Sequence, residues 1–224
     1  LSSDNSFSVV EWGLAGDIPT AADFDGDGRT DRVVYRPDDQ SSGLSKWYIF
    51  RSSDLSLDSI QWGLPGDTPA PADYDGDGRA DIAVWRSSNQ TFYSINSSNG
   101  LLQQPTLGQS GDKVVSSDYD GDGKADYAVY NSTTATWTIR NSATPAAPVT
   151  SVWGSAGASG CSGGSCSGEV PVQNDYDGDG KTDLATWRNS GGNWFIRQSG
   201  SNNSLRQVQW GIPADIPVPA FYRR

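Results

Sequence analysis

Three features of the sequence predict an all-β fold made of repeated four-stranded units. A nine-residue acidic motif occurs four times at a spacing of roughly 45 to 57 residues. A short run of β-branched and aromatic residues follows each copy, and residues favoured in turns separate the runs. No stretch has helical periodicity, while the chain holds 26 Gly and 12 Pro. Four short strands per repeat at this period are typical of propeller blades, so we expect a four-bladed β-propeller with extra terminal strands.

The acidic motif places carboxylates at positions 1, 3, 5 and 9, glycines at positions 4 and 6, and a basic residue at position 7. The copies are DFDGDGRTD at 23–31, DYDGDGRAD at 73–81, DYDGDGKAD at 118–126 and DYDGDGKTD at 175–183. At a separation of about 4 Å and an effective dielectric of 20, each pair of these charges repels by roughly 4 kcal/mol. Compact folding of such a loop therefore calls for a cation. Hard oxygen ligands favour Ca²⁺, and Mg²⁺ is disfavoured because it demands a tighter octahedron.

The first half of the motif matches the calcium loop of EF-hands, and the second half departs from it. Position 12, where an EF-hand needs a glutamate, holds Val34, Val84, Val129 and Thr186. The residues that follow (RVVYR, IAVWR, YAVYN and LATWR) are typical of strands and not of a helix. An acidic surface turn is the alternative explanation for any single copy. Four copies that keep every acid favour four calcium sites, with these predicted carboxylate ligands: Asp23, Asp25, Asp27, Asp31, Asp73, Asp75, Asp77, Asp81, Asp118, Asp120, Asp122, Asp126, Asp175, Asp177, Asp179 and Asp183.

The net charge of −11 is largely a property of these loops, which contain 16 of the 27 acidic residues. Four bound Ca²⁺ ions would bring the net charge from −11 to −3. The acidity therefore argues against nucleic acid and anionic membranes as partners. No apolar run approaches the length of a membrane-spanning segment.

Two cysteines, Cys161 and Cys166, lie in the segment GCSGGSC. A zinc site would need more ligands, and the chain has no histidine to supply them. We therefore predict a local disulfide and a secreted or cell-surface protein, since disulfides persist in oxidising compartments. Millimolar calcium outside cells, where weak calcium modules are filled, agrees with this prediction.

Each repeat begins with a segment that we call the head, such as EWGLAGDIPTAAD, and ends with a strand that runs into the next head. The predicted repeats span approximately 11–60, 61–105, 106–151 and 152–208, with a terminal half-repeat at 209–224, all in a single domain. After the loop and its strand, each repeat has a third strand, in the runs KWYIFRS, TFYSINS, TWTIRNS and NWFIRQS.

The unit W-G-x-x-G-D-x-P-x-x-x-D-[FY]-D-G-D-G-[KR]-x-D-x-A-V-[WY]-R resembles the FG-GAP/VCBS-type repeat of bacterial secreted proteins. That family is related to the calcium-binding blades of integrin α-chain propellers and to some fungal propeller lectins. The resemblance covers nearly the whole chain and implies a β-propeller with Ca²⁺ between the first and second strands of each blade. It adds four backbone carbonyls to the expected ligands, those of Arg29, Arg79, Lys124 and Lys181. Two departures are that Leu107 replaces the head tryptophan of the third repeat and that an insertion at 156–168 interrupts the fourth head.

Recurring aromatic and arginine residues allow two interpretations. Tryptophans recur at two repeat positions, at Trp12, Trp62, Trp153 and Trp210 and at Trp47, Trp137 and Trp194. Packing between blades is the simpler explanation, and a row of exposed rings that stack on sugars is the alternative. Arg36, Arg86 and Arg188 follow the second strands. We expect them to be solvated or to pair with head acids such as Asp17, Asp67 and Asp112, with an acidic glycan as the alternative partner.

An enzyme is not expected, because the chain lacks histidine and shows no activated Ser or Cys nucleophile. The sequence favours a non-catalytic extracellular protein with a structural or adhesive role. A lectin-like module for a glycan or a cell-surface protein is the alternative. The fifth head stops where the next loop would begin, so we expect segment 205–224 to contact another copy of the chain, in a homo-oligomer or filament.

Overall fold

The computed structural model describes residues 10–39, 42–144, 147–156, 169–200, 202–213 and 215–217. These residues form four antiparallel sheets of four strands each, with the strands of each sheet paired in chain order. The predicted all-β propeller of four blades is confirmed. Among the described residues the only helical element is a single 3₁₀ turn at Asn189–Gly191, and no helix is long and apolar enough to cross a membrane.

The four blades follow one another along the chain. Blade 1 contains β1 (Ile18–Ala22), β2 (Asp31–Asp39), β3 (Leu44–Phe50) and β4 (Leu57–Gln61). Blade 2 contains β5 (Thr68–Pro69), β6 (Ile82–Arg86), β7 (Thr91–Ile95) and β8 (Leu102–Gln103). Blade 3 contains β9 (Lys113–Val114), β10 (Tyr127–Asn131), β11 (Thr136–Arg140) and β12 (Val149–Val152). Blade 4 contains β13 (Glu169–Pro171), β14 (Leu184–Arg188), β15 (Asn193–Arg197) and β16 (Leu205–Gln209).

The second and third strands of each blade hold its core, because they carry the β-branched and aromatic residues that pack well on a pleated sheet. An aromatic residue of the second strand pairs with one of the third strand in every blade. In blade 1, Tyr35 lies opposite Trp47 with ring centroids 5.1 Å apart. In blade 3, Tyr130 lies opposite Trp137 at 4.9 Å. Such cross-strand pairs are a main source of sheet stability.

The core of each of the first three blades continues into the next blade. One buried cluster joins Trp47 and Ile49 of blade 1 to Ile82 and Val84 of blade 2. The head tryptophan Trp62 lies at this junction, half-buried, and its indole N–H donates to the Tyr93 carbonyl at 3.1 Å. Packing between blades, the simpler interpretation of the tryptophans, is therefore confirmed here.

Trp153 agrees with this interpretation, but Trp12 contacts Phe50 of its own blade, and Trp194 packs on residues of blade 4 alone. Trp137 is fully buried, and the indole N–H of Trp153 donates to the Phe195 carbonyl of blade 4 at 3.2 Å. Trp210, however, is 75% exposed. The expectation that it packs between blades is wrong for this copy, because the described residues include no blade beyond it.

Two sequence-based predictions fall largely outside the described residues. The disulfide between Cys161 and Cys166 belongs to the stretch 157–168, which the structure does not describe. The terminal segment 205–224 is described only at 205–213 and 215–217.

Candidate metal centres in the four acidic loops

The acidic loops connect the first strand of each blade to the second, which is where the family resemblance implies that they lie. Loop 1 (23–31) runs from β1 to β2, and loops 2 (73–81), 3 (118–126) and 4 (175–183) occupy the equivalent places in blades 2 to 4. In loops 2 to 4 an isolated antiparallel bridge closes the base of the loop, as between Ala72 and Asp81.

The glycines at positions 4 and 6 let the loop curl around its own centre. All eight have φ between +79° and +90°, as at Gly26 and Gly78. Residues with a Cβ adopt this left-handed conformation only at a cost, which is why the motif keeps glycine at these positions.

The first acid of each loop organises the backbone around it. In loop 1, the Gly26 and Gly28 amides donate to the two carboxylate oxygens of Asp23 at 2.7 and 2.8 Å. The equivalent pairs of bonds occur in loops 2, 3 and 4 at distances between 2.6 and 3.0 Å. The backbone amides thus point inward, and the carboxylate they hold lies at the centre of the loop.

The acid at position 9 is the most buried residue of each loop, with Asp31, Asp81, Asp126 and Asp183 no more than 1% exposed. In loop 2, Oδ2 of Asp81 accepts the Tyr74 amide at 2.9 Å, and Oδ1 accepts the Ser97 amide at 2.6 Å. Burial nevertheless raises the pKa of Asp81 to about 6 despite these bonds. The pKa of Asp126 is likewise raised to about 6 by burial. A buried carboxylate that resists ionisation is stabilised by a cation at the same place.

A serine that follows the third strand closes each loop, and the sequence analysis did not single it out. Its amide donates to the acid at position 9, and its hydroxyl donates to the acid at position 5. In blade 1, Ser52 N lies 2.7 Å from Asp31 Oδ1, and Ser52 Oγ lies 2.8 Å from Asp27 Oδ2. The equivalent residues are Ser97, Ser142 and Ser199. The signal was present, because all four third-strand runs quoted above end in this serine.

Each loop brings three carboxylates together. Their oxygen atoms lie within 4.8 Å of one another in four groups: Asp23, Asp25 and Asp27; Asp73, Asp75 and Asp81; Asp118, Asp120 and Asp122; Asp175, Asp177 and Asp183. Ca²⁺ binds oxygen at 2.3–2.6 Å, so two ligands of one ion lie at most about 5 Å apart. The donor atoms are all oxygens, and their spacing fits a hard divalent cation. These clusters could hold a metal ion, while the individual ligand assignments stay predictions.

Consecutive loops are bonded to each other. The amide at position 8 donates to the carbonyl at position 1 of the preceding loop, from Ala80 to Asp23 at 2.6 Å and from Ala125 to Asp73 at 2.7 Å. The third bond of this series runs from Thr182 to Asp118 at 2.7 Å. The four candidate metal centres therefore form one connected row.

The basic residue at position 7 reinforces the row. The Arg79 side chain passes so close to Gly26 of the preceding loop that a Cβ added at Gly26 would lie 3.0 Å from Arg79 Cγ. Lys124 and Lys181 pass Gly76 and Gly121 in the same way. Glycine at position 4 therefore leaves space for the neighbouring blade in addition to allowing the turn.

The expected pairing of arginines with head acids is confirmed for the first two blades. Asp17 accepts two hydrogen bonds from Arg36 at 2.7 and 2.9 Å, and Arg86 binds Asp67 in the same forked manner. The hydrogen bond from Arg36 holds the pKa of Asp17 below its usual value. In blade 3, Asn131 donates to Asp112 at 2.7 Å.

Blade 4 uses an acid that the sequence analysis missed. Glu169 accepts a hydrogen bond from Arg188 Nε at 2.9 Å and another from the Ser155 amide, also at 2.9 Å. It thus takes the place of the head aspartate on the far side of the insertion. The only signal in the sequence was its position at the start of the first strand of the blade.

Comparison with known proteins adds a family assignment. The model of the FG-GAP-like repeat matches residues 23–84 and 73–129. Each match begins at the first acid of a loop and ends in the second strand of the following blade. A comparison with curated proteins gives no match.

Among solved structures, the crystal structure of AztD from Citrobacter koseri matches at 10% identity and a TM-score of 0.30, over 87% of this chain and 74% of that one. A TM-score this low does not establish a shared fold. The family match at 23–129 and the recurrence of the same loop, strand order and aromatic pair in blades 3 and 4 show that the chain is a four-bladed propeller of the FG-GAP type.

Proposed function

We propose that this protein is a non-catalytic, calcium-stabilised repeat protein with a structural or adhesive role outside the cell. The observation that carries the proposal is the row of four all-oxygen clusters, each with three carboxylates within 4.8 Å, placed where consecutive blades meet. A metal bound there stabilises the blades and the junctions between them.

Calcium is the metal that the donor set favours. The acids at positions 1, 3, 5 and 9 and the position 7 carbonyls are the groups that would hold it. Bound Ca²⁺ supplies two positive charges per loop, which offset the repulsion among the four acids. The chain's own residues pre-form the site. The amides of the two loop glycines bind the acid at position 1, and the serine after the third strand binds the acids at positions 5 and 9.

A non-catalytic role agrees with the use of the remaining polar groups. The chain has no histidine, and the head acids are occupied in ion pairs and turns, as Asp67 is with Arg86 and the Leu64 amide. These contacts recur from blade to blade, whereas a catalytic centre would break the repeat. A location outside the cell is favoured by Cys161 and Cys166 and by the calcium concentration there.

Metal content and thermal stability test the proposal. We expect about four calcium ions per chain by elemental analysis after dialysis, and a melting temperature that falls in EGTA and recovers with added Ca²⁺, since a ligand that binds only the folded state stabilises it. Asp75→Asn should lower the calcium content, and Asp54→Asn, at an acid outside the loops, should not. A melting curve that EGTA leaves unchanged would disprove the assignment.

A lectin-like or protein-binding role is a second candidate. A groove of about 310 Å³ opens at the junction of blades 1 and 2, lined in part by Trp62, Leu64 and Tyr93. Arg86 is stacked over the Tyr93 ring, 4.4 Å from its centroid. Aromatic and guanidinium groups on one surface suit a sugar ring or a peptide side chain. Binding on a glycan array that Trp62→Ala abolishes would favour this role.

A further inference from the structure

The three junctions between consecutive blades use one set of contacts. A position 8 amide bonds the preceding loop, and a position 7 side chain covers the position 4 glycine of that loop. In the first and third junctions a head tryptophan also donates to a third-strand carbonyl of the next blade. We call the surface that offers the position 1 carbonyl, the position 4 glycine and the following head the trailing edge of a blade. The surface that offers the position 7 side chain and the position 8 amide is the leading edge of the next blade.

The leading edge of blade 1 has the groups for such a junction but no partner among the described residues. Position 8 is at most 7% exposed in the three later loops, at Ala80, Ala125 and Thr182. In loop 1 the same position is Thr30, which is exposed.

The leading edge also carries a charge where later blades are apolar. The first residue after the loop is Ile82, Tyr127 or Leu184 in blades 2 to 4, and each of these packs on the core of the preceding blade. In blade 1 this residue is Arg32, which is exposed.

The trailing edge of blade 4 has the complementary groups, also without a partner in the described part of the chain. Gly178 has no atom within 4 Å of the place where a Cβ would stand, although Gly26, Gly76 and Gly121 are each covered by a basic side chain. No described amide bonds the Asp175 carbonyl, whereas the carbonyls of Asp23, Asp73 and Asp118 are all bonded. Trp210 and Ile212 of the same edge are 75% and 68% exposed.

We propose that the trailing edge of blade 4 binds the leading edge of blade 1 of a second copy of this chain, with the contacts of an internal junction. The Thr30 amide of one copy then donates to the Asp175 carbonyl of the other, and Arg29 covers Gly178. Arg29 and Arg32 then lie near the acids of loop 4, so charges of opposite sign meet across the contact. This inference rests on the proposed structural role, for which it names the partner.

Each such junction receives two head tryptophans, whereas an internal junction holds at most one, since Leu107 takes that place between blades 2 and 3. Trp12 already packs against its own blade, with its ring centroid 5.3 Å from that of Phe50. Trp210 is exposed, so its side chain is the one that moves aside when the two edges meet. The contact joins two different surfaces and leaves one of each free, so it repeats from copy to copy and produces a filament unless the copies close into a ring.

Position 30 offers the sharpest test, because Thr30 is exposed in the single chain. Thr30→Tyr places a ring where internal junctions accept only Ala or Thr, and we expect self-association to weaken by about tenfold or more. Thr30→Ala reproduces loops 2 and 3 and should associate like the unmodified chain. Thr133→Tyr, at an exposed turn of blade 3, is the matched control and should also associate normally.

Sedimentation velocity in Ca²⁺ over a range of concentrations, with negative-stain microscopy and calcium content on the same samples, reads out these variants. Concentration-dependent association that only Thr30→Tyr weakens supports the interface. A calcium-loaded chain that stays at 23.9 kDa at its highest usable concentration overturns the interface and leaves the calcium proposal intact. Association that Thr30→Tyr leaves unchanged also overturns it. Association without bound calcium contradicts the calcium proposal and not the interface.

Discussion

Blades 2 and 4 have the same acidic loop and the same aromatic positions but differ in what covers them. The third-strand aromatic residue of blade 2, Phe92, is completely buried, and its cluster includes Leu107 and Val129 of blade 3. The equivalent Trp194 of blade 4 is only half-buried, and the cluster it packs against contains residues of blade 4 alone. The comparison teaches that a blade shares its core with the blade that follows, as expected for repeats that cannot bury their apolar face alone.

Truncation of these two equivalent side chains should give the largest difference in stability between blades 2 and 4. We expect Phe92→Ala to lower the free energy of unfolding by about 3–5 kcal/mol, because it leaves a cavity between two blades. Trp194→Ala should cost clearly less although it removes a larger ring, because one face of that ring meets solvent. Urea unfolding of both variants at a concentration where the chain is monomeric measures the difference. Equal losses would mean that the end of blade 4 is covered in solution.

The acid at position 9 should show no difference between the two blades, because its contacts lie within one blade. Asp81 and Asp183 each accept the amide of the serine that follows the third strand, at 2.6 and 2.7 Å. We expect Asp81→Ala and Asp183→Ala to cost the same in EGTA, about 1–3 kcal/mol, since each leaves buried amides without an acceptor. Unfolding curves in EGTA measure this cost, with Asp54→Ala as the exposed control. A much smaller loss in blade 4 would show that the loops also depend on the neighbouring blade.

The smallest expected effect is a dependence of the free energy of unfolding on pH in the absence of metal. The pKa values of Asp81 and Asp126 are raised by burial to about 6, above the ordinary value of 3.8. Between these limits the folded chain binds more protons than the unfolded chain, so stability in EGTA should rise as the pH falls from 7 towards 5.

With Ca²⁺ present, stability should instead fall as the pH falls, because protons then compete with the metal for the same carboxylates. Melting temperatures across this pH range, with and without EGTA, test both signs. Asp81→Asn should reduce the slope in EGTA, and a slope of opposite sign there would contradict the role of burial.

The sequence predicted best what is set by short-range chemistry. The loops, the strands that follow them and the turns between strands depend on residues close in the chain, and all were found where the pattern placed them. The pairing of Arg36 with Asp17 was also predictable, because both belong to one repeat. The serine of each loop was not predicted, because its neutral side chain does not mark it as part of a metal site.

What the sequence could not predict depends on neighbours in space. Trp62 and Trp210 have nearly the same flanking sequence, but only Trp62 lies at a junction between two described blades. The pairing of Glu169 with Arg188 was not predicted, because the insertion before Glu169 separates it from the head pattern. Burial of a repeat residue is therefore decided by whether another blade follows, and a single repeat carries no information on that.

The bonds from each loop to the preceding one all point the same way, from the position 8 amide to the position 1 carbonyl. A row of any number of blades keeps one donor end and one acceptor end. Duplicating or deleting a whole blade therefore changes the length of the row and leaves both ends as they were. Gene duplication can vary the size of such a protein in steps of one blade without redesigning any surface, and the length of the chain becomes a property that evolution can adjust freely.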